Sequence, residues 1–225
     1  KLQTVLSQKK SSNKSVSSRG GRQLTPFEID AADYEENHHF FLSQYFRDNY
    51  DAAMKSLPNL KTGITINRVE VWVTNKTGTT SNTRNIVALT DLGENRNVSR
   101  TDLWGPGSGP VPTNNANTEY STLTQTYPAA RDIDQVTGIL DGAGLVGGND
   151  YEKLANARLL GSSEYTVNTA LGYISLRSGL QTDQVLAIAY EYTYGGVTYQ
   201  VGEFASDHTN INEALFVKSL KNTSN

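Results

Sequence analysis

Three histidines supply all the imidazole chemistry open to this chain. His38 and His39 closely follow Glu35 and Glu36. On a helix, Glu35 and Glu36 would each share a face with His39, and a carboxylate-oriented imidazole is the core of general-base chemistry. The same atoms could begin a metal site, but such a site needs further ligands, and His208, beside Asp207, lies far away in sequence. Acids at a helix N-terminus, favoured by the helix dipole, explain the cluster more simply. A hydrolase would have to draw on His38, His39 or His208. No G-x-S-x-G elbow occurs, and Ser108 sits among Gly and Pro. The chain has no cysteine, which removes thiol nucleophiles, iron–sulfur clusters held by cysteine and Cys-based zinc sites.

Other motifs weaken on inspection. Gly142-Ala-Gly-Leu-Val-Gly147 matches G-x-G-x-x-G, yet the segment before it reads as helix rather than buried strand, so it is expected to be a connector. Asp91–Asn95 and Asp141–Asp150 are oxygen-rich turns without the alternating ligands of a calcium loop. Tyr190, Tyr192, Tyr194 and Tyr199 could form a binding surface for glycan or peptide, or serve as cross-strand packing. No cofactor, metal or catalytic residue is assigned, and the chain is read as non-enzymatic.

The elements that would position these residues belong to one soluble chain of 225 residues, with net charge −3 and no apolar run long enough for a membrane-spanning helix. Its pI of about 5.6 gives no overall field for nucleic acid. It opens at Lys1 without Met or signal sequence and is expected to be an excised or processed piece. Residues 1–24 carry Lys1, Lys9, Lys10, Lys14, Arg19 and Arg22 with no acid, and read as a basic, Ser-rich flexible segment. A weak strand pattern follows over Leu24–Ala31.

The spacing of Leu42, Phe46, Tyr50, Ala53 and Leu57 predicts the main amphipathic helix over 36–57, ended by Pro58. Gly63–Thr74 and Arg84–Asp91 read as strands, the first with the aliphatic stripe Val69, Val71 and Val73, joined by a hairpin loop over Asn75–Thr83. The Gly/Pro stretch Trp104–Pro112 allows no regular element. A short helix is expected around Ile133, Val136 and Leu140, and another opens at Asn149 and runs through Leu159, with Glu152 at capping-box spacing. Strand signals resume at Glu164–Asn168, Leu171–Leu176 and Val185–Tyr194. The last turns through Gly195-Gly196 into Val197–Phe204, while Leu215–Leu220 fits a strand or a helix end.

Six runs carry a family likeness: FFLSQYFRDNY at Phe40–Tyr50, INRVEVWVTNK at Ile66–Lys76, NTRNIVALTDLG at Asn82–Gly93, YEKLANAR at Tyr151–Arg158, EYTVNTALGYISL at Glu164–Leu176 and QVLAIAYEYTY at Gln184–Tyr194. In this order, over about residues 27–220, the chain resembles the SprA (Sov) family, giant outer-membrane proteins of gliding motility and type IX secretion in Bacteroidetes. The likeness is weakest over Lys1–Arg22 and the Gly/Pro stretch.

The resemblance implies a non-enzymatic domain of an outer-membrane protein translocon that caps or gates the barrel. Its partners would be the rest of the parent barrel, secretion-system proteins and secreted cargo, with no nucleic acid and membrane only through the parent. The place would be the cell envelope, outer-membrane-associated, on the extracellular face by the rule that barrels keep periplasmic turns short. The alternative is a cell-surface adhesive module binding glycan or protein.

The expected fold is α+β and β-rich, with one main amphipathic helix, short helices and a C-terminal antiparallel, sandwich-like part. Residues 25–160 form an α/β part and 161–225 a β-rich part, or both one domain. Trp72, Trp104, Tyr192, Tyr194 and Tyr199 are the expected partner contacts.

Overall fold

In a computed structural model, residues 35–57, 60 and 62–224 are described. The basic segment 1–24, the strand pattern at Leu24–Ala31 and the helix stop at Pro58 lie outside them. Strand β1 (His39–Phe41) precedes helix α1 (Gln44–Met54), and β2 (Ile64–Val73) and β3 (Thr83–Leu89) follow. After a long irregular stretch come α2 (Glu119–Gln125), a 3-10 turn at Pro128–Arg131 and α3 (Val136–Gly142). The remaining strands are β4 (Tyr151–Leu159), β5 (Tyr165–Asn168), β6 (Tyr173–Leu176), β7 (Leu186–Tyr194), β8 (Val197–Val201) and β9 (Leu215–Lys221). The class is α+β and β-rich.

The larger sheet runs β2-β4-β3-β9-β7-β8, and an additional pairing joins β2 to β7, leaving β8 appended to the ring. Each of β2, β4, β3, β9 and β7 therefore has a partner on both sides, and the sheet closes on itself. Closure is complete where Trp72 and Val73 of β2 meet Leu159 and Arg158 of β4. All contacts in the ring are antiparallel except β3–β9, which is parallel. The sandwich-like C-terminal part of the sequence reading is thus tied into the strands before it, since β7 lies along the whole of β2 and β9 along β3.

Two apolar clusters occupy the two faces of this sheet. The smaller one takes Trp72, Ile86, Leu154, Ala187 and Val217 from all five ring strands, and no helix contributes to it. A cluster fed by the ring strands, by Val185 just before β7 and by Phe204 and Ala205 beyond β8 is the filled interior of a small barrel. The larger cluster lies outside, where α1, α2, α3 and the second sheet, β1-β6-β5, cover the barrel. Val71 and Val73 belong to this outer core, with Val69 packed against it.

A bulge explains how β2 keeps its stripe in phase. The register steps from Ile66↔Tyr192 to Arg68↔Glu191, leaving Asn67 as an extra residue. Ile64 and Ile66 before it then share a face with Val69, Val71 and Val73 after it. The Asn67 side chain donates from Nδ2 to Thr193 Oγ1 at 2.8 Å and holds the bulge.

Three expectations are corrected. Helix α1 starts later than the spacing predicts, because His39–Phe41 pair with Ser175, Ile174 and Tyr173 of β6 instead. The helix expected to open at Asn149 and run through Leu159 is instead a turn followed by β4. Tyr151, Leu154 and Ala157 recur every third residue, as on a helix, and all three are buried. In the strand, Tyr151 faces the outer core and Leu154 the interior, and a bulge between Leu154 and Ala157 returns Ala157 to the interior. Asn156 makes that bulge in the left-handed region, at φ 53°. Finally, Asn75–Thr83 is not a hairpin loop, since β4 sits between β2 and β3 and the loop spans it.

The turn at Gly195-Gly196 is as expected. Both residues have positive φ, 58° and 80°, which a two-residue turn matching strand twist requires.

Candidate interaction surface

The five expected contact residues separate by burial. Trp72 is 1% exposed inside the barrel and Trp104 6% exposed in the outer core, so both pack rather than present a surface. Tyr192 is also buried, and its hydroxyl donates to the Pro112 carbonyl at 2.7 Å. Burial pushes its hydroxyl well above the usual tyrosine range, with Tyr45, Tyr199 and Tyr194 nearby adding to the shift. Tyr194 is 37% exposed at the hairpin tip, next to Val197 at 52%. Tyr199 is half-buried, stacked on Tyr192 at 5.4 Å and 24°.

These rings form a row that begins in the core. Phe46 of α1 meets Tyr190 and Tyr192 edge-on at 6.1 and 5.9 Å, and Tyr192 passes the stack to Tyr199. Alternation along β7 and β8 puts them all on one face. The row explains why the strand is so rich in tyrosine. Its inner members fill space against α1 and only its outer end meets solvent.

The Gly/Pro stretch is strapped to the same hairpin. Besides Tyr192, the Asn114 amide donates to the Gln200 carbonyl at 2.9 Å, and Asn95 donates to the Gly109 carbonyl at 2.6 Å.

Charged groups that the sequence reading passed over organise the rest. Glu203, beyond β8, is 1% exposed and accepts from Arg131 Nη1 and Nη2 at 2.8 and 2.5 Å, from Tyr120 Oη at 2.7 Å and from the Phe216 amide at 2.9 Å. Desolvation pushes its carboxyl up, but Arg131, then Phe216 and Tyr120, outweigh that and hold it below the usual carboxylate range. Arg84 donates to the carbonyls of Ala205, His208, Asn210 and Glu213 at 3.0–3.4 Å and pins that loop. Arg68 lies 3.7 Å above the Phe204 ring.

A cavity of about 320 Å³ opens between β1, the start of α1, the loop after β3, and β9, with Ser43, Gln44, Glu94 and Lys218 in its wall. Glu94 Oε1 accepts from the Gln44 amide at 3.1 Å and from Lys218 Nζ at 2.8 Å. A carboxylate from outside the helix therefore caps α1, where Ser43 makes no side-chain cap bond. Glu119, also buried, has its carboxyl pushed well above the usual range by desolvation and by Asp91, with Lys218 opposing. The signal available in sequence was Lys218 within the otherwise apolar start of LFVKSLK (Leu215–Lys221), but its partner Glu94 is distant in sequence.

The histidine cluster is a surface tie. His39 Nδ1 lies 2.8 Å from Ser175 Oγ and Nε2 2.7 Å from Glu35 Oε2, a serine–imidazole–carboxylate chain. Ser175 sits mid-strand in β6, with β1 and β5 on either side. Its neighbouring amides are engaged in ladders, unlike an elbow that presents donors to an oxyanion. The chain fastens β1 to β6. His38 bonds the Glu36 carbonyl at 3.0 Å, and His208 Nε2 lies 3.7 Å from Glu203 Oε2. Among the described residues, no group of three or more His, Asp or Glu side chains is placed to hold a metal ion.

The described residues thus form a closed small barrel clad by helices, with the buried Arg131–Glu203 pair among its ties and one aromatic hairpin end in solvent. Comparison with known families then places it: residues 2–181 match the SprA_N family, described as motility related/secretion protein, and the chain belongs to that family. No curated protein matches the chain. The match starts at residue 2, so the basic N-terminal segment falls within it, whereas the resemblance read from the six runs spans about residues 27–220. It ends before β7, although β7 and β9 complete the barrel. No helix among the described residues is long and apolar enough to cross a membrane.

Proposed function

We propose that this chain is a non-enzymatic domain of the outer-membrane translocon of type IX secretion and gliding motility, capping or gating the barrel and contacting cargo or partner proteins. The observation that carries this reading is the family match over residues 2–181. The architecture supports it. The ring of strands leaves few edges to open, buried ion pairs lock the loops around it, and the outward aromatic end of β7–β8 is available to a protein partner. An extracellular position follows from the preference of barrels for long outer loops.

The test deletes this segment from the full-length parent and scores cargo in medium and periplasm, with barrel insertion confirmed in the same cells. Cargo trapped behind a correctly inserted barrel supports the role, and normal secretion refutes it. An adhesive module would rest on the same tyrosines, but Tyr190 and Tyr192 are spent in the core, which leaves only Tyr194 and Tyr199 to a ligand.

A further inference from the structure

The turn Gly195-Gly196 makes Tyr194 and Val197 the pair next to the loop. In a two-residue hairpin that pair exchanges both backbone bonds, and the pattern alternates from there. Tyr199 and Val201 therefore aim their amides and carbonyls at β7, and Thr198 and Gln200 aim theirs away. The outer contacts agree, because the Gln200 carbonyl accepts from the Asn114 amide at 2.9 Å and the Gly202 amide donates to Asn114 Oδ1 at 2.7 Å. Asn114 thus covers one end of the outer edge. At the other end, the Thr198 amide and carbonyl and the Gln200 amide meet no backbone partner among the described residues.

The side chains around this open end are sorted by face. Val197 and Tyr199 lie with Tyr194 on the aromatic face, and Thr198 and Gln200 lie with Thr193 and Glu191 on the polar one. Unpaired backbone groups flanked by an exposed apolar row form a template for another strand. They select a polypeptide backbone, since only that offers donors and acceptors at the strand repeat.

We propose that the Val197–Gln200 edge of β8 receives an extended segment of a partner polypeptide as an added strand. Its apolar side chains lie beside Val197 and Tyr199 and its polar ones beside Thr198 and Gln200. Asn114 blocks the Gly202 end, so the segment continues past the turn. The inference rests on the partner-contact reading above and names its surface.

The test measures amide hydrogen exchange of the 225-residue chain with a synthetic peptide of alternating valine and threonine, flanked by lysines for solubility. Exchange at Thr198 and Gln200 should slow about tenfold or more at saturation. The same peptide N-methylated at every residue, which blocks both of its edges, should protect neither. Thr198→Pro removes an outward donor at a sheet edge, where proline is tolerated, and should abolish protection. Val197→Lys should weaken it without touching the backbone.

No protection by the unmodified peptide, or equal protection by the methylated one, overturns the proposal. Protection that appears without peptide and rises with chain concentration also overturns it, in favour of a second copy. Secretion after segment deletion tests the domain's role independently. Lost secretion with no peptide protection would sink the edge alone, and normal secretion with protection would sink the role alone.

Discussion

Removing either partner of the Arg131–Glu203 pair should cost far more than its share of the pair. Glu203 lies within the fold at 1% exposed, and its two oxygens take four hydrogen bonds, two of them from Arg131. Arg131, with its side chain 17% exposed, also lies 4.4 Å from the Phe216 ring and donates to the Ala214 carbonyl at 3.2 Å. Breaking a buried pair from one side leaves a desolvated charge and costs about 3–5 kcal/mol. Glu203→Met and Arg131→Met should each lose about that much.

If the two losses were independent, the double variant would lose about 6–10 kcal/mol. It should instead lose about 4–6 kcal/mol, because no lone charge remains and the residual cost is the missing acceptor for Tyr120 and Phe216 plus lost packing. The coupling is then about 2–4 kcal/mol. Urea unfolding followed by the buried Trp72 and Trp104 measures all four proteins. Additivity within about 0.5 kcal/mol would refute the reasoning. The sign with pH is also set. A carboxyl held below its usual range contributes stability that is full above the unfolded value near 4.3 and is lost as pH falls through the folded one. Glu203→Met should flatten that acid limb.

Glu119 should act in the opposite sense. Its folded-state carboxyl is raised, so stability falls as pH rises above the unfolded value near 4.3, until the folded value is passed. Glu119→Gln removes that dependence, so its stability relative to the parent chain should grow as pH rises above the unfolded value. Parallel pH profiles of the two proteins would contradict this. Gly172→Ala should destabilise by about 2–4 kcal/mol, since φ is +67° and a Cβ would come within 2.2 Å of Phe46 Cδ1. The thermal midpoint reads it, and Gly172→Ala in a Phe46→Leu background should recover part of the loss.

Much of the β architecture was legible because it depends on period two. The faces of β7, the stripe of β2 and the Gly195-Gly196 turn follow from local alternation and local turn chemistry. Segment 149–159 misled because bulges change the period. A strand that buries residues on both faces and carries one extra residue repeats its apolar positions every three, which a helix also does. The aromatic run His39–Phe41 misled because its pairing partner lies far along the chain at Tyr173–Ser175.

The candidate surface divided along the same line. That Tyr194 and Tyr199 lie on one sheet face follows from alternation, whereas their exposure, and the burial of Trp72, Trp104 and Tyr192, depends on what packs over them. By itself the sequence determined the family, the α+β class, the strand faces and the Gly195-Gly196 hairpin, all set by residue type and order along the chain. The tertiary structure alone decided that β2 and β7 join to close the sheet, that Glu203 meets Arg131 and that Asn114 covers half of the β8 edge. Those are pairings between distant segments, and their energy comes from burial and closure, which no local pattern records.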